Sequence, residues 1–406
     1  LLILSTFGVY YTFFGIMLIS AGAVGSFLLK RSYAKLISAA IVSFILISGV
    51  TFCVAPNIVY KINNGVNSEV AKRSPVESEI YGLKISQMLL PSKNNIINYV
   101  TKRISRHTLQ SPLSNENQSS SLGIPGAIGF LILISVLIFG HFMRKIDKNL
   151  LILSYLTGVM FLWSTIGGFS SLFALFITPS LRGWNRISIF ILFACILSLI
   201  IAIQNIIKKN SFSIKKNNIY ILLSIFLIIL IIPEMKPLSV NFERKLIDEF
   251  ENDRDFIKEI EKTIPDSAVY QIPFMEFPEV PPIHKLPDYG LGIGFIHSSN
   301  LKWSYGCIKG REGNFFYKEV SKLELAKQIQ IIRNIGFAGI YVDRRGYEDN
   351  AKAIEKELNK ILGHSFMFES RNKNYSFYKI SEKKAVNYAS ISTLEIMKKA
   401  DFVVNK

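Results

Sequence analysis

The chain has 406 residues, half of them hydrophobic, and a formal net charge of +17, with a pI near 9.6 and a mean hydropathy of +0.31. Its three cysteines lie far apart, which excludes a disulfide framework and zinc-finger spacing. Its basic residues cluster at the ends of apolar stretches, so the charge points to membrane topology and not to nucleic acid.

A bilayer core takes about 20 apolar residues per helix. Six stretches in the first 233 residues fit, at 8–29, 36–60, 124–143, 150–169, 187–207 and 219–233. The first begins almost at Leu1, so the chain is expected to be the C-terminal part of a longer protein. Lys30, Arg31 and Lys35, then Arg144, Lys145 and Lys148, then Lys208, Lys209, Lys215 and Lys216 sit between successive spans. Short loops rich in Lys and Arg stay cytoplasmic. The loop 61–123 and everything after residue 233 then face outward, where cytoplasmic nucleotides cannot supply a reaction.

In the outer loop, Ser74-Pro75-Val76-Glu77 reads as a helix start, with Glu77 reaching back as a capping box. The helix is expected to run to about Leu90. Its apolar residues form two stripes, one of Val76, Ile80, Leu83 and Leu90, the other of Tyr81, Ile85, Met88 and Leu89. Two stripes suit a helix packed on both sides. Glu77 and Glu79 lie between them, either as caps or as an acidic site for a divalent cation or an acceptor hydroxyl. Residues 111–121, rich in Ser, Asn and Gln, read as a mobile loop.

The segment 169–181 is too apolar for a free loop and reads as a re-entrant or interfacial helix, which requires cover from protein or a cavity. Leu181-Arg182-Gly183-Trp184-Asn185-Arg186 follows. Arg182 and Arg186 suit either a snorkelling anchor beside an aromatic-belt tryptophan or a clamp on a lipid phosphate.

Residues 234–406 read as a small α/β domain. A charged helix spans 241–264, a strand 268–272, a second helix 321–335, a strand 337–342, a third helix 350–362, and a hairpin closes around residues 372–374. The run Gly290 to Gly294 is no dinucleotide fingerprint, since no strand feeds it and no helix is evident after it. Trp303, Tyr305 and Arg311 form an aromatic and basic cluster suited to sugar or headgroup contact, or to packing as a loop. Asp343 ends a strand, beside Arg344 and Arg345, as a site residue or a charge-paired cap. No nucleophile elbow, His-rich metal motif or P-loop is present.

The stretches Arg73-Ser-Pro-Val-Glu-Ser-Glu-Ile-Tyr-Gly-Leu-Lys84, Tyr270-Gln-Ile-Pro273, Trp303-Ser-Tyr-Gly306 and Gly336-Phe-Ala-Gly-Ile-Tyr-Val-Asp-Arg344 resemble those of bacterial sugar-translocase-like membrane proteins. With the outer-loop helix, the re-entrant turn and the C-terminal domain, the chain as a whole resembles the GT-C superfamily of polytopic membrane glycosyltransferases. The resemblance implies an α-helical polytopic membrane protein of about six spans (1–233), followed by an extracytoplasmic α/β domain (234–406), in the bacterial cytoplasmic membrane. It implies inverting sugar transfer from a polyprenyl-phosphate donor to an envelope glycan or lipid, sometimes with a divalent cation. Donor-phosphate contacts then fall to Arg182, Arg186, Arg73 and Lys84. The family's acidic catalytic residue belongs to a first outer loop expected upstream of Leu1, so no catalytic base is assigned. Lipid-linked sugar translocation without bond chemistry, or an assembly role through the outer domain, are the alternatives.

Overall fold

The computed structural model describes residues 2–31, 33–70, 72–91, 98–142, 146–209, 240–380 and 393–403, with Ser224, Ile225, Ile228, Ile229 and Ile232 between them. The chain divides into two compact units, 1–65 with 73–237 and 66–72 with 238–406.

The first unit is helical. Its elements are α1 (Leu2–Thr6), α2 (Val9–Lys30), α3 (Ala34–Asn64), α4 (Glu77–Ile80), α5 (Ile85–Leu89), α6 (Asn98–Gln110), α7 (Gly123–Phe139), α8 (Lys148–Ser164), α9 (Phe169–Phe176) and α10 (Ser188–Lys209). Among the described residues, four helices are long and apolar enough to cross a membrane: Val9–Lys30, Ala34–Asn64, Gly123–Phe142 and Trp184–Ile207. Their outward faces stay apolar, with Phe52 83% and Phe193 71% exposed, the composition a lipid-facing surface requires. The stretch expected as a fourth span is α8, 17 residues long. The sixth, 219–233, falls largely outside the described residues.

Helix α7 packs on α8 and α10, and small residues permit the approach. A Cβ on Gly129 would collide with the backbone of Cys195 in α10. Ser198 Oγ donates to the Gly129 carbonyl at 3.1 Å, and Ser154 Oγ to that of Leu133 at 2.7 Å. Close backbones joined by hydroxyls hold apolar helices together where no hydrophobic force distinguishes protein from lipid. Trp184, Phe14, Met160 and Ile191 share the core of this unit.

The second unit is a three-layer α/β domain. The sheet order is β2-β1-β3-β5-β4, from Lys302–Trp303, Ala268–Ile272, Phe337–Asp343, Tyr375–Lys379 and Phe368–Glu369 respectively. β1 runs parallel to β2 and β3, while β5 runs antiparallel to β3 and β4. All residues of β1 and β3 are buried, as expected when both faces of a sheet are covered. α11 (Val240–Thr263) supplies Phe256, Ile257 and Ile260 to one face. α12 (Ile293–His297) lies in the segment packed on that face. α13 (Glu312–Val320), α14 (Leu325–Asn334), α15 (Lys352–Leu362) and α16 (Thr393–Lys399) contribute Val320, Ile329, Leu358 and Met397 to the other. The glycine run does continue into a helix, since Gly290–Gly292 forms a 3-10 turn leading into α12. Gly294 is there for contact: a Cβ would stand 2.5 Å from the Trp303 ring.

Candidate functional site

The expected single helix from Pro75 to Leu90 is broken. α4 ends at Ile80, and Leu83 turns out to pair with the end of α8. Its N–H donates to the Ser164 carbonyl at 2.8 Å, and its carbonyl accepts from Ile166 N–H at 3.2 Å. Gly82 allows the approach, as a Cβ would sit 3.1 Å from the Ile166 backbone. The helical hydrogen bonds lost at the break are replaced by side chains. Asn115 Nδ2 donates to the Ile80 carbonyl at 2.5 Å and Asn117 Nδ2 to that of Gly82 at 3.2 Å. Buried backbone acceptors need such partners. Asn117 is fully buried, so the stretch read as a mobile loop is a structural brace, with a 3-10 turn at Glu116–Ser120.

This break presents Glu77 to Arg182. Arg182 Nη1 donates to Glu77 Oε2 at 2.9 Å, and Arg73 Nη1 stands 4.0 Å from the same oxygen. Glu77 Oε1 also accepts from the Ser74 N–H at 3.0 Å, the half of the capping box that the sequence predicts. Burial pushes the Glu77 carboxyl up. The Arg182 and Ser74 hydrogen bonds and the charges of Arg182 and Arg73 outweigh it, leaving Glu77 below its ordinary value and ionised at neutral pH.

Both arginines of the Leu181–Arg186 loop lie over aromatic rings, Arg182 5.0 Å from the Tyr81 centroid and Arg186 4.8 Å from that of Tyr10. Arg186 also stands 4.0 Å from Glu116, both side chains 46% exposed. Tyr10 fixes the loop between them, its hydroxyl oxygen accepting from the N–H of Arg182 at 3.2 Å and of Gly183 at 3.4 Å. Trp184 anchors the loop from below. It is buried, its indole N–H donates to the Leu181 carbonyl at 2.8 Å, and it stacks on Trp163 at 5.8 Å. The tryptophan is thus a core residue and not an aromatic-belt anchor. Arg73, Arg182 and Arg186 gather around Glu77 and Glu116. Planar guanidinium donors on a braced loop can grip a phosphate in bidentate fashion.

The other expected site residues stand apart from this cluster. Lys84 turns to Ser111 and Pro112, its ammonium donating to Ser111 Oγ at 2.9 Å and to the Pro112 carbonyl. The Glu79 carbonyl accepts from the Gly82 N–H at 3.0 Å, and its carboxylate is outside the Arg182 pair. Among the described residues, no group of three His, Cys, Asp or Glu side chains converges to hold a metal ion.

In the second unit, Trp303 and Tyr305 are core side chains, 8% and 7% exposed. Trp303 donates to Ser298 Oγ at 2.9 Å and packs on Gly294, so burial removes the stacking face that the sequence reading assigned to it. The Tyr305 hydroxyl is buried without a hydrogen-bond partner among the described residues. Burial, with Asp288 and Tyr289 nearby, pushes it up to about 12. Arg311 precedes α13, and its carbonyl accepts from Asn314 and Phe315. Asp343 is fully buried and paired with Arg345 at 2.7 Å, and its side chain caps the turn Arg344–Gly346.

Sequence reasoning missed Tyr10, Tyr81, Asn115 and Asn117. Tyr10 and Tyr81 lie more than 100 residues from the arginines they meet, and only Tyr81 carried a signal, its place in a predicted apolar stripe. No family model, curated protein or solved structure matches the chain.

Proposed function

We propose that the protein is an integral membrane glycosyltransferase that moves a sugar from a polyprenyl-phosphate donor to an envelope glycan or lipid. In this reading, six spans cross the bacterial cytoplasmic membrane, with 169–181 re-entering it. The loop 61–123 and the α/β unit lie outside the cytoplasm.

The observation that carries the reading is the Glu77–Arg182 pair beside Arg186, on a braced loop at the start of an apolar helix. Arg182 and Arg186 would take the donor phosphate, and Arg73 would add charge. Glu77, ionised and held by Arg182, would hand that arginine to the phosphate when the donor arrives.

The test is transfer of labelled sugar from a polyprenyl phosphate by the full-length protein in proteoliposomes, with Arg186→Ala and Arg182→Lys. Charge-assisted hydrogen bonds contribute about 1.5–3 kcal/mol, so transfer should fall roughly tenfold to hundredfold in each variant, with insertion unchanged. Full activity in both would refute the phosphate clamp.

A further inference from the structure

A basic exposed surface of the first unit lies on α6. From Asn98 to Gln110 this helix carries Lys102, Arg103, Arg106 and His107 and no acidic residue. The helix is amphipathic in an unusual sense. Ile104 is buried against the unit, while the four basic residues face outward. On that same side Tyr99 is 69% and Leu109 86% exposed. Arg103 Nη1 donates to the Tyr99 hydroxyl at 3.0 Å, holding the aromatic among the cations.

A second observation lies at the C-terminal end of this helix. An open cavity of about 520 Å³ lies there, with Lys84, His107 and Ser111 and the apolar Phe161 and Ile166 among its lining residues. No acidic side chain lines it. Cationic and hydroxyl groups thus share the cavity with apolar side chains from the end of α8 and the residues after it.

We infer that α6 and this cavity form a docking surface for anionic phospholipid. The headgroup phosphate lies against Lys84, His107 and the basic face of α6, and the start of the acyl chain lies against Phe161 and Ile166. Two features single out a lipid surface. One is the uniform positive charge, flanked by an exposed Tyr and Leu that suit the headgroup boundary. The other is the set of apolar helices in the same unit. Each basic residue near an anionic surface strengthens association by about fivefold. The inference rests on the membrane placement of those helices and not on sugar transfer.

The experiment introduces a fluorescent indole by Leu109→Trp in the full-length protein. It then measures quenching by brominated lipid in nanodiscs, with either brominated phosphatidylglycerol or brominated phosphatidylcholine as the minor component. The expected result is quenching several-fold stronger by the anionic lipid, lost when Lys102, Arg103 and Arg106 are changed together to Gln. Equal quenching by both lipids, or by neither, overturns the inference. So does an anionic preference that survives the triple change. Adding inorganic phosphate separates the sources: emission that responds to phosphate but to neither lipid assigns the patch to a soluble anion. Phe52→Trp, on an outward face of α3, is the control. Quenching there by both lipids keeps membrane placement intact whatever α6 does, and its absence would overturn both.

Discussion

Charge neutralisation of the Glu77–Arg182 pair should reveal a coupling of about 1–2 kcal/mol, bounded by the measured ranges for exposed and buried pairs. The perturbation is a cycle of Glu77→Gln, Arg182→Gln and the double variant. Glutamine keeps an acceptor for the Ser74 N–H, so the cycle isolates the charge interaction. At 2.9 Å, bare attraction in a medium of effective dielectric ~20 is about 6 kcal/mol. Desolvation and side-chain ordering remove most of it. Fully exposed pairs retain about 0.2–1 kcal/mol, while breaking a buried pair costs about 3–5 kcal/mol. The side chains here are 18% and 30% exposed, which sets the value between those limits. Glu77 sits below its ordinary pKa when folded, so its stabilisation is complete above the unfolded value and is lost as pH falls through the folded one. Thermal unfolding in detergent, followed by tryptophan emission at neutral and acid pH, reads both effects. Coupling under about 0.3 kcal/mol at neutral pH, within ordinary additivity, would refute the reasoning. So would a coupling that persists once the carboxylate is protonated.

Two other outcomes follow from packing and electrostatics. Gly129→Leu should separate α7 from α10 and destabilise the helical unit by about 1–3 kcal/mol or more, because the obstacle is the Cys195 backbone and not a movable side chain; an unchanged melting temperature in detergent would contradict the close crossing. In the α/β unit, Glu261 accepts from the N–H groups of Ser299 and Asn300 at 2.7 and 2.9 Å. A hydrogen bond from Lys258 comes first among the causes that hold it near 2. Glu261→Gln should therefore cost about 2 kcal/mol at neutral pH, with the cost shrinking as pH falls from the ordinary carboxylate range toward that value; a cost independent of pH would show that shape, not charge, matters there.

Much of the architecture was legible because it follows from short-range pattern. Apolar runs of bilayer length produced the helices α2, α3, α7 and α10. Period and punctuation located β1, β3, the β4–β5 hairpin and α14, which ends at a glycine with positive φ. The helix α6 was missed, since its apolar content is low and its signal is a charged face. The outer-loop helix was misread as continuous. Local propensity carries only the glycine penalty of about 1 kcal/mol at Gly82-Leu83-Lys84, and what makes the break favourable is distant: the backbone of Ser164 to Ile166 and the side chains of Asn115 and Asn117.

The candidate site divides along the same line. The inventory was readable along the chain: two arginines flanking a tryptophan, a glutamate in a capping box, and apolar helices on which to mount them. The capping contact from Glu77 to Ser74 is local and was readable. Packing in three dimensions settled who meets whom. It brought Arg182 across 105 residues to Glu77, sent Lys84 to Ser111, and buried Trp184, Trp303 and Tyr305. The physical reason is that a side chain's partner is set by which backbones pack together. In this chain that packing turns on a few close approaches, as at Gly82 against Ile166 and Gly129 against Cys195, whose neighbours in space are far away in sequence.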